Sequence, residues 1–214
     1  MNYLILLRHG ESQWNLENRF TGLTDIPLTK NGEKEAKEAG NIINKLSIPI
    51  DIIYSSLLCR ANDTAIIAIK QTKQDHLYKD GMLDFIKEPA LNERDYGDLV
   101  GLNKLETAKK YGDKQVHTWR RSYDIAPPGG ESLKNVVKRV KSFYSKNIKK
   151  NIKENKNILV VAHGNSLRAL LICLKLYNSS NIDACILVIW DNSDNELNEA
   201  ERIAGILRPR ILER

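Results

Sequence analysis

The sequence predicts an α/β protein of three layers, with a mostly parallel central sheet flanked by helices. Three short apolar runs suited to buried strands, and helical patterns between them, carry that prediction.

The first run, Tyr3–Leu7 (YLILL), is continuous rather than alternating, as expected of a strand covered on both faces. It stops abruptly at Arg8-His9-Gly10-Glu11-Ser12. Thr29 is placed to cap a helix whose apolar positions are Ala36, Ala39, Gly40 and Ile43. Ile50–Tyr54 reads as a second buried strand, closed by Ser55-Ser56. The helix after it carries Leu57, Ala61, Ala65 and Ala68 on one face. Residues 80–132 are rich in Gly, Pro, Asn, Asp, Arg and Tyr and show no strong periodicity; loops of that length are usually functional or disordered. Lys138–Lys156 reads as the wet face of a helix whose apolar side holds Val136, Val140, Phe143 and Tyr144. Asn157–Ala162 is the third strand. It ends at His163-Gly164-Asn165-Ser166, ahead of an apolar helix over Leu167–Leu176. Cys185–Trp190 is apolar and β-branched enough for a last strand.

A length of 214 residues fits one domain, with 80–132 as an insertion within it. The 42% hydrophobic and 28% charged fractions are those of a globular chain, which excludes disordered, collagen-like and coiled-coil classes. No apolar run approaches the ~20 residues of a membrane span, and Tyr3–Leu7 is too short for a signal-peptide core. The expectation is a cytoplasmic protein with no membrane partner. Cys59, Cys173 and Cys185 form neither an even set nor a metal-type spacing. The net charge of +6 suits an anionic partner without choosing between nucleic acid and small phosphates.

Ligands of parallel sheets bind beyond the carboxyl ends of the strands, and two strand ends here deliver His-Gly. One such histidine is more often structural. Two at neighbouring ends, with Arg8, Arg60, Arg94, Lys104, Arg120 and Arg121 available, describe a phosphate pocket, because guanidinium groups match phosphoryl oxygens bidentately. There is no GxxxxGK[ST], no GxGxxG after a strand, and no HExxH or CxxC, so neither a nucleotide loop nor a metal is expected. Phosphoryl transfer without either requires a covalent acceptor and fixed cations. A histidine serves as acceptor near neutral pH, where much of it is unprotonated.

These residues also carry a resemblance. Leu7-Arg8-His9-Gly10-Glu11-Ser12-Gln13-Trp14-Asn15 resembles the opening of the cofactor-dependent phosphoglycerate mutases of the histidine phosphatase superfamily. Phe20-Thr21-Gly22, LNERDYG at 91–97, GLNK at 101–104, WRRS at 119–122, PPGGES at 127–132 and AHGNS at 162–166 follow in the same order. The RHG block marks only the superfamily; the middle blocks point to the mutase. The resemblance implies a phosphoglycerate mutase-like fold and the glycolytic and gluconeogenic exchange of 3- and 2-phosphoglycerate. It implies a phosphohistidine at His9 primed by 2,3-bisphosphoglycerate, with no metal. It further implies that Arg8, Arg60 and His163 stabilise the phosphoryl in transit and that Glu93 is the general acid and base. Ser12, Asn15, Thr21, Gly22, Arg94, Tyr96, Lys104, Arg120, Arg121, Gly164 and Asn165 would hold the substrate. For Arg120 and Arg121 to serve one ligand, adjacent residues would have to turn the same way, which calls for an irregular backbone.

Two other readings compete. A phosphatase of the same superfamily would pass the phosphoryl group to water, and lacks the middle insertion. A basic nucleic-acid binder is opposed by the absence of aromatic residues interleaved with the basic ones. Oligomeric state stays open, with a homodimer among the options. Segment 195–214 departs from the family pattern, which ends in a strand and a mobile tail over the site. A missing lid would let water reach the phosphohistidine and raise phosphate release.

Overall fold

The protein is described here from a computed structural model, which covers residues 3–174 and the backbone of one further strand, 187–191. Its central sheet holds β1 (Tyr3–Arg8), β2 (Ile52–Ser55), β5 (Ile86–Lys87), β6 (Ile158–Ala162) and β7 (Leu187–Asp191), in the order β5-β2-β6-β1-β7. β3 (Tyr78–Lys79) and β4 (Met82–Leu83) form a separate hairpin. β1, β2, β5 and β6 run parallel, and β7 pairs antiparallel with β1.

The continuous apolar strands are buried on both faces, as their composition predicts. Leu4 and Leu6 of β1, with Ile158 and Val160 of β6, pack into one layer against α6 (Leu133–Phe143) and α8 (Gly164–Cys173). Ile5, Leu7, Leu159 and Val161 point the other way, onto α2 (Lys30–Leu46) and α3 (Cys59–Ile69). Successive side chains alternate across the pleat, so one short run serves two hydrophobic layers. Thr29 caps α2 as predicted, its hydroxyl accepting from Gly32 N at 3.0 Å.

Several boundaries differ from the sequence reading. Strand β2 begins at Ile52 and takes in Ser55. Helix α3 begins at Cys59, so Leu57 precedes it and stays half exposed, whereas Ala61, Ala65 and Ala68 are buried. Helix α8 starts at Gly164, one turn earlier than its apolar run, because the polar turn is already helical. The stretch read as aperiodic contains α4 (Lys104–Tyr111) and α5 (Asp113–Arg121). Each buries one residue, Thr107 and Val116 respectively, and both are otherwise so polar that no apolar run marks them. The lysine-rich helix is α6 continued through a π-helical turn, Tyr144–Ile148, into α7 (Lys149–Lys153), with Val136, Val140, Phe143, Ile148 and Ile152 inward. The remaining helix, α1 (Gln13–Leu16), is a single turn. The predicted last strand is present as β7. The rest of the C-terminal reading, including 195–214 and any lid, lies outside the described residues.

Gly40 of α2 marks the closest approach of two helices: a Cβ there would stand 2.1 Å from the Ala68 carbonyl oxygen of α3. Alanine is worth up to about 1 kcal/mol more than glycine in a helix interior, but here the overlap with backbone dominates. Gly40→Ala is expected to lower unfolding free energy by about 1–3 kcal/mol in urea titration; an unchanged or raised midpoint would show that α2 and α3 separate freely.

Candidate active site

Strand register builds the site. β1 and β6 pair with Arg8 opposite Ala162, and the next residues, His9 and His163, emerge side by side from the carboxyl ends. His9 N–H donates to Ala162 O at 3.0 Å, which extends the ladder one step and fixes the pair. The ring centroids lie 4.9 Å apart, with the planes tilted by 56° rather than stacked. Both imidazoles are buried.

His9 Nδ1 sits 2.6 Å from Gly10 O. A carbonyl oxygen only accepts, so the ring's proton is on Nδ1 and the lone pair is on Nε2. Burial, and then the Arg60 and Arg8 guanidinium groups, hold the His9 pKa well below 6.5. Burial first, then His9, Arg60 and Arg8, does the same for His163. Both rings are therefore neutral near pH 7.

In front of His9 lies a cavity of about 510 Å³, a volume suited to a small metabolite. Of the predicted residues, Arg8, His9, Asn15, Thr21, Gly22 and Arg60 line it from the first half of the chain. Glu93, Tyr96, Lys104, Arg120, Arg121, Gly164 and Asn165 line it from segments further along the sequence. Arg60, wholly buried, donates to Thr24 O at 2.8 Å and Gly22 O at 3.0 Å, so its guanidinium is held rigidly. Gly22 adopts φ +55°, in the region that favours glycine. Glu93 Oε1 accepts from Arg94 N at 2.7 Å and from Asn165 Nδ2 at 3.0 Å. Asn165 Nδ2 also reaches Tyr96 Oη at 3.4 Å.

Two predicted residues lie behind the wall instead. Ser12 is buried as the N-cap of α1, where its N–H and hydroxyl donate to Asn15 Oδ1. That occupies the amide oxygen of Asn15 and leaves its NH₂ group for the cavity. Arg94 is also buried, stacked 4.6 Å from the Tyr96 ring centroid, and donates from Nη2 to Arg120 O at 3.0 Å. Motif membership had assigned both to the ligand; neither lines the cavity. His163 is wholly buried beside His9, and its ring reaches the site next to that histidine rather than through the cavity wall.

The irregular backbone expected at Arg120-Arg121 is not there. Both belong to the last turn of α5 and both still line the cavity. Long side chains on the terminal turn of a helix can converge beyond its end although their Cβ atoms diverge.

Residues that the motifs did not single out also line the cavity, among them Arg19, Asn31, Lys34, Glu38 and Arg168. Arg19 directly precedes the block that holds Thr21, a signal that could have found it. Lys34 and Glu38 look like the wet face of α2. Altogether eight basic side chains and four carboxylates line the space, so its field favours a multiply charged anion. Among the described residues no cluster of His, Cys, Asp and Glu could hold a metal ion, and no helix is long and apolar enough to cross a membrane.

A sheet of this order, with paired histidines and arginines at its carboxyl edge, defines a class. Residues 4–192 match the histidine phosphatase superfamily (branch 1), and the chain belongs to it. Its relatives are more specific. A protein of Parvibaculum lavamentivorans, 47% identical over 99% of this chain and 96% of its own length, is named 2,3-bisphosphoglycerate-dependent phosphoglycerate mutase. So are proteins of Bartonella henselae (48%, over 84% of each chain) and Brucella melitensis (49%, over 80% and 81%). The Parvibaculum alignment takes in most of 195–214, so that segment has a counterpart in a relative. Among solved structures, mycobacterial glucosyl-3-phosphoglycerate phosphatase complexed with VO3 is similar, with TM-score 0.70, 27% identity and 84% coverage of both chains.

Lys104 gives the cavity a pH response. Burial, then Arg120, Arg8 and Arg121, lowers its pKa from 10.5 to about 8. It is cationic below that pH and neutral above it, so anion affinity should fall as pH rises through about 8. Inorganic phosphate titrated by calorimetry at pH 7 and 9 should show this fall in the wild type and much less of it in Lys104→Arg. Equal losses in both proteins would discard the assignment.

Proposed function

We propose that the chain interconverts 3-phosphoglycerate and 2-phosphoglycerate through a phosphoryl group carried on His9. The observation that supports this best is the neutral, Nδ1-protonated imidazole of His9, packed against a second imidazole beside a cation-rich cavity. The names of the relatives supply the substrate.

The priming bisphosphate, 2,3-bisphosphoglycerate, supplies the phosphoryl group that first loads His9. The cavity's size and its excess of basic groups fit such a trianionic-or-higher molecule. The Nε2 lone pair of His9 forms the N–P bond as the P–O bond breaks, and the leaving oxygen takes a proton from Glu93. In the reverse sense Glu93 takes the proton from the other hydroxyl while that oxygen attacks phosphorus and the N–P bond breaks. Glu93 fits this exchange because its neighbours tether Oε1, which leaves Oε2 for the substrate. Arg8 and Arg60 stabilise charge spread over the equatorial oxygens. Lys104, Arg120 and Arg121 hold the carboxylate and the second phosphate, with Asn15, Thr21, Gly22, Tyr96, Gly164 and Asn165 completing the enclosure. Ser12 and Arg94 support it from behind. No metal enters the mechanism. The proposal takes residues 1–214 as one domain with 80–132 as its active-site insertion, acting in the cytoplasm, with a homodimer as the assembly to test by sedimentation.

The phosphatase reading has its own support in the similarity to a solved phosphatase. Two assays separate the two, and a third tests the histidine that both require. Conversion of 3-phosphoglycerate should depend on added 2,3-bisphosphoglycerate and survive chelators. Phosphate release should be a small fraction of it. His9→Ala should cut turnover by at least roughly 10³-fold, as loss of a covalent acceptor does. Activity indifferent to the bisphosphate, or dependent on manganese, would overturn the mechanism.

A further inference from the structure

Ser56 belongs to none of the blocks quoted above, yet it touches one of the two imidazoles directly. It follows the last residue of β2, and β2 lies beside β6 in the sheet. The Ser56 hydroxyl is therefore brought to His163, with Oγ 2.7 Å from Nε2 and both residues wholly buried.

That contact could run either way, and the rest of the hydroxyl's environment decides it. Ser56 Oγ already accepts the Leu58 N–H at 3.1 Å. Its own proton has no acceptor among the described residues other than His163 Nε2. A buried hydroxyl proton left unbonded is costly, so the O–H donates and Nε2 accepts. A neutral imidazole carries one proton, and it must then sit on Nδ1, a buried nitrogen with no partner among the described residues.

We propose that Ser56 is a positioning residue that locks His163 as the tautomer protonated on Nδ1, making it a neutral hydrogen-bond donor to the phosphoryl group on its way to and from His9. The inference rests on the reading of His9 as phosphoryl acceptor and deepens it. No bond to Ser56 forms or breaks. The serine holds one end of the ring so that the other end presents an N–H, with its partner ring 4.9 Å away. The opposite tautomer would present a lone pair to phosphoryl oxygens and repel them. A neutral donor also leaves His9 without an added positive charge beside it, which suits a nucleophile that must stay unprotonated.

A serine that merely ends β2 and caps the turn at Leu58 would be indifferent to the ring, and the test is built on that difference. In resting wild-type enzyme labelled with ¹⁵N-histidine, the His163 ring, assigned against His163→Asn, should show hydrogen on Nδ1 and none on Nε2. A proton found on Nε2 overturns the proposal, and this measurement needs no serine variant to fold. Ser56→Ala should lower kcat by roughly tenfold or more, as a misplaced imidazole proton does, with KM for 3-phosphoglycerate changing less than about twofold. Ser56→Thr, which keeps the hydroxyl, should recover most of kcat. An Ala variant with wild-type kcat, or a Thr variant as slow as Ala, counts against the proposal. Failure of wild-type His9 to take a phosphoryl group from 2,3-bisphosphoglycerate would strike the parent reading instead, since the ring label reads Ser56 in the resting protein.

Discussion

The arrangement depends on the register between two parallel strands. Because Arg8 faces Ala162, the chain leaves both strands at the same height, and each exit residue is a histidine. A slip of one residue would turn every side chain of one strand to the opposite face. It would exchange the residues that fill the two apolar layers and carry one imidazole away from the other. The pairing that seats Leu4 and Leu6 on one side, and Ile5 and Leu7 on the other, thus also aligns the two imidazoles. Core packing and chemistry are enforced by the same pairing.

Electrostatics follows from that placement. The rings are buried where guanidinium groups oppose any additional positive charge, so both stay neutral. A guanidinium is a permanent cation, while Lys104 loses its charge as pH rises through about 8. The site therefore separates two duties among basic residues. Permanent cations attract the anion, and a neutral imidazole offers a lone pair. The field that draws phosphate inward is also the field that keeps its acceptor unprotonated.

The strand ends were legible because continuous apolar runs have few structural interpretations, and both of the relevant ones end in His-Gly. Helices α4 and α5 were not legible, because both are strongly polar and bury one residue apiece, so no apolar run marks them. The motif blocks identified most of the cavity wall but did not distinguish residues that face a ligand from residues that brace those that do. Ser12 and Arg94 belong to the second kind, one capping α1 and the other tied to Arg120 O. Ser56 carried no signal at all, since a serine closing a strand is an ordinary turn residue. Its importance depends on a neighbour 107 positions away.

Strand β1 hydrogen-bonds on one side to residues 158–162 and on the other to residues 187–191. A growing chain therefore carries His9 on a segment with two open edges until β6 has emerged, and with one open edge until β7 has. Ribosome-bound fragments ending before β6 lack His163, so the histidine pair forms only after the whole segment between its two members has been made.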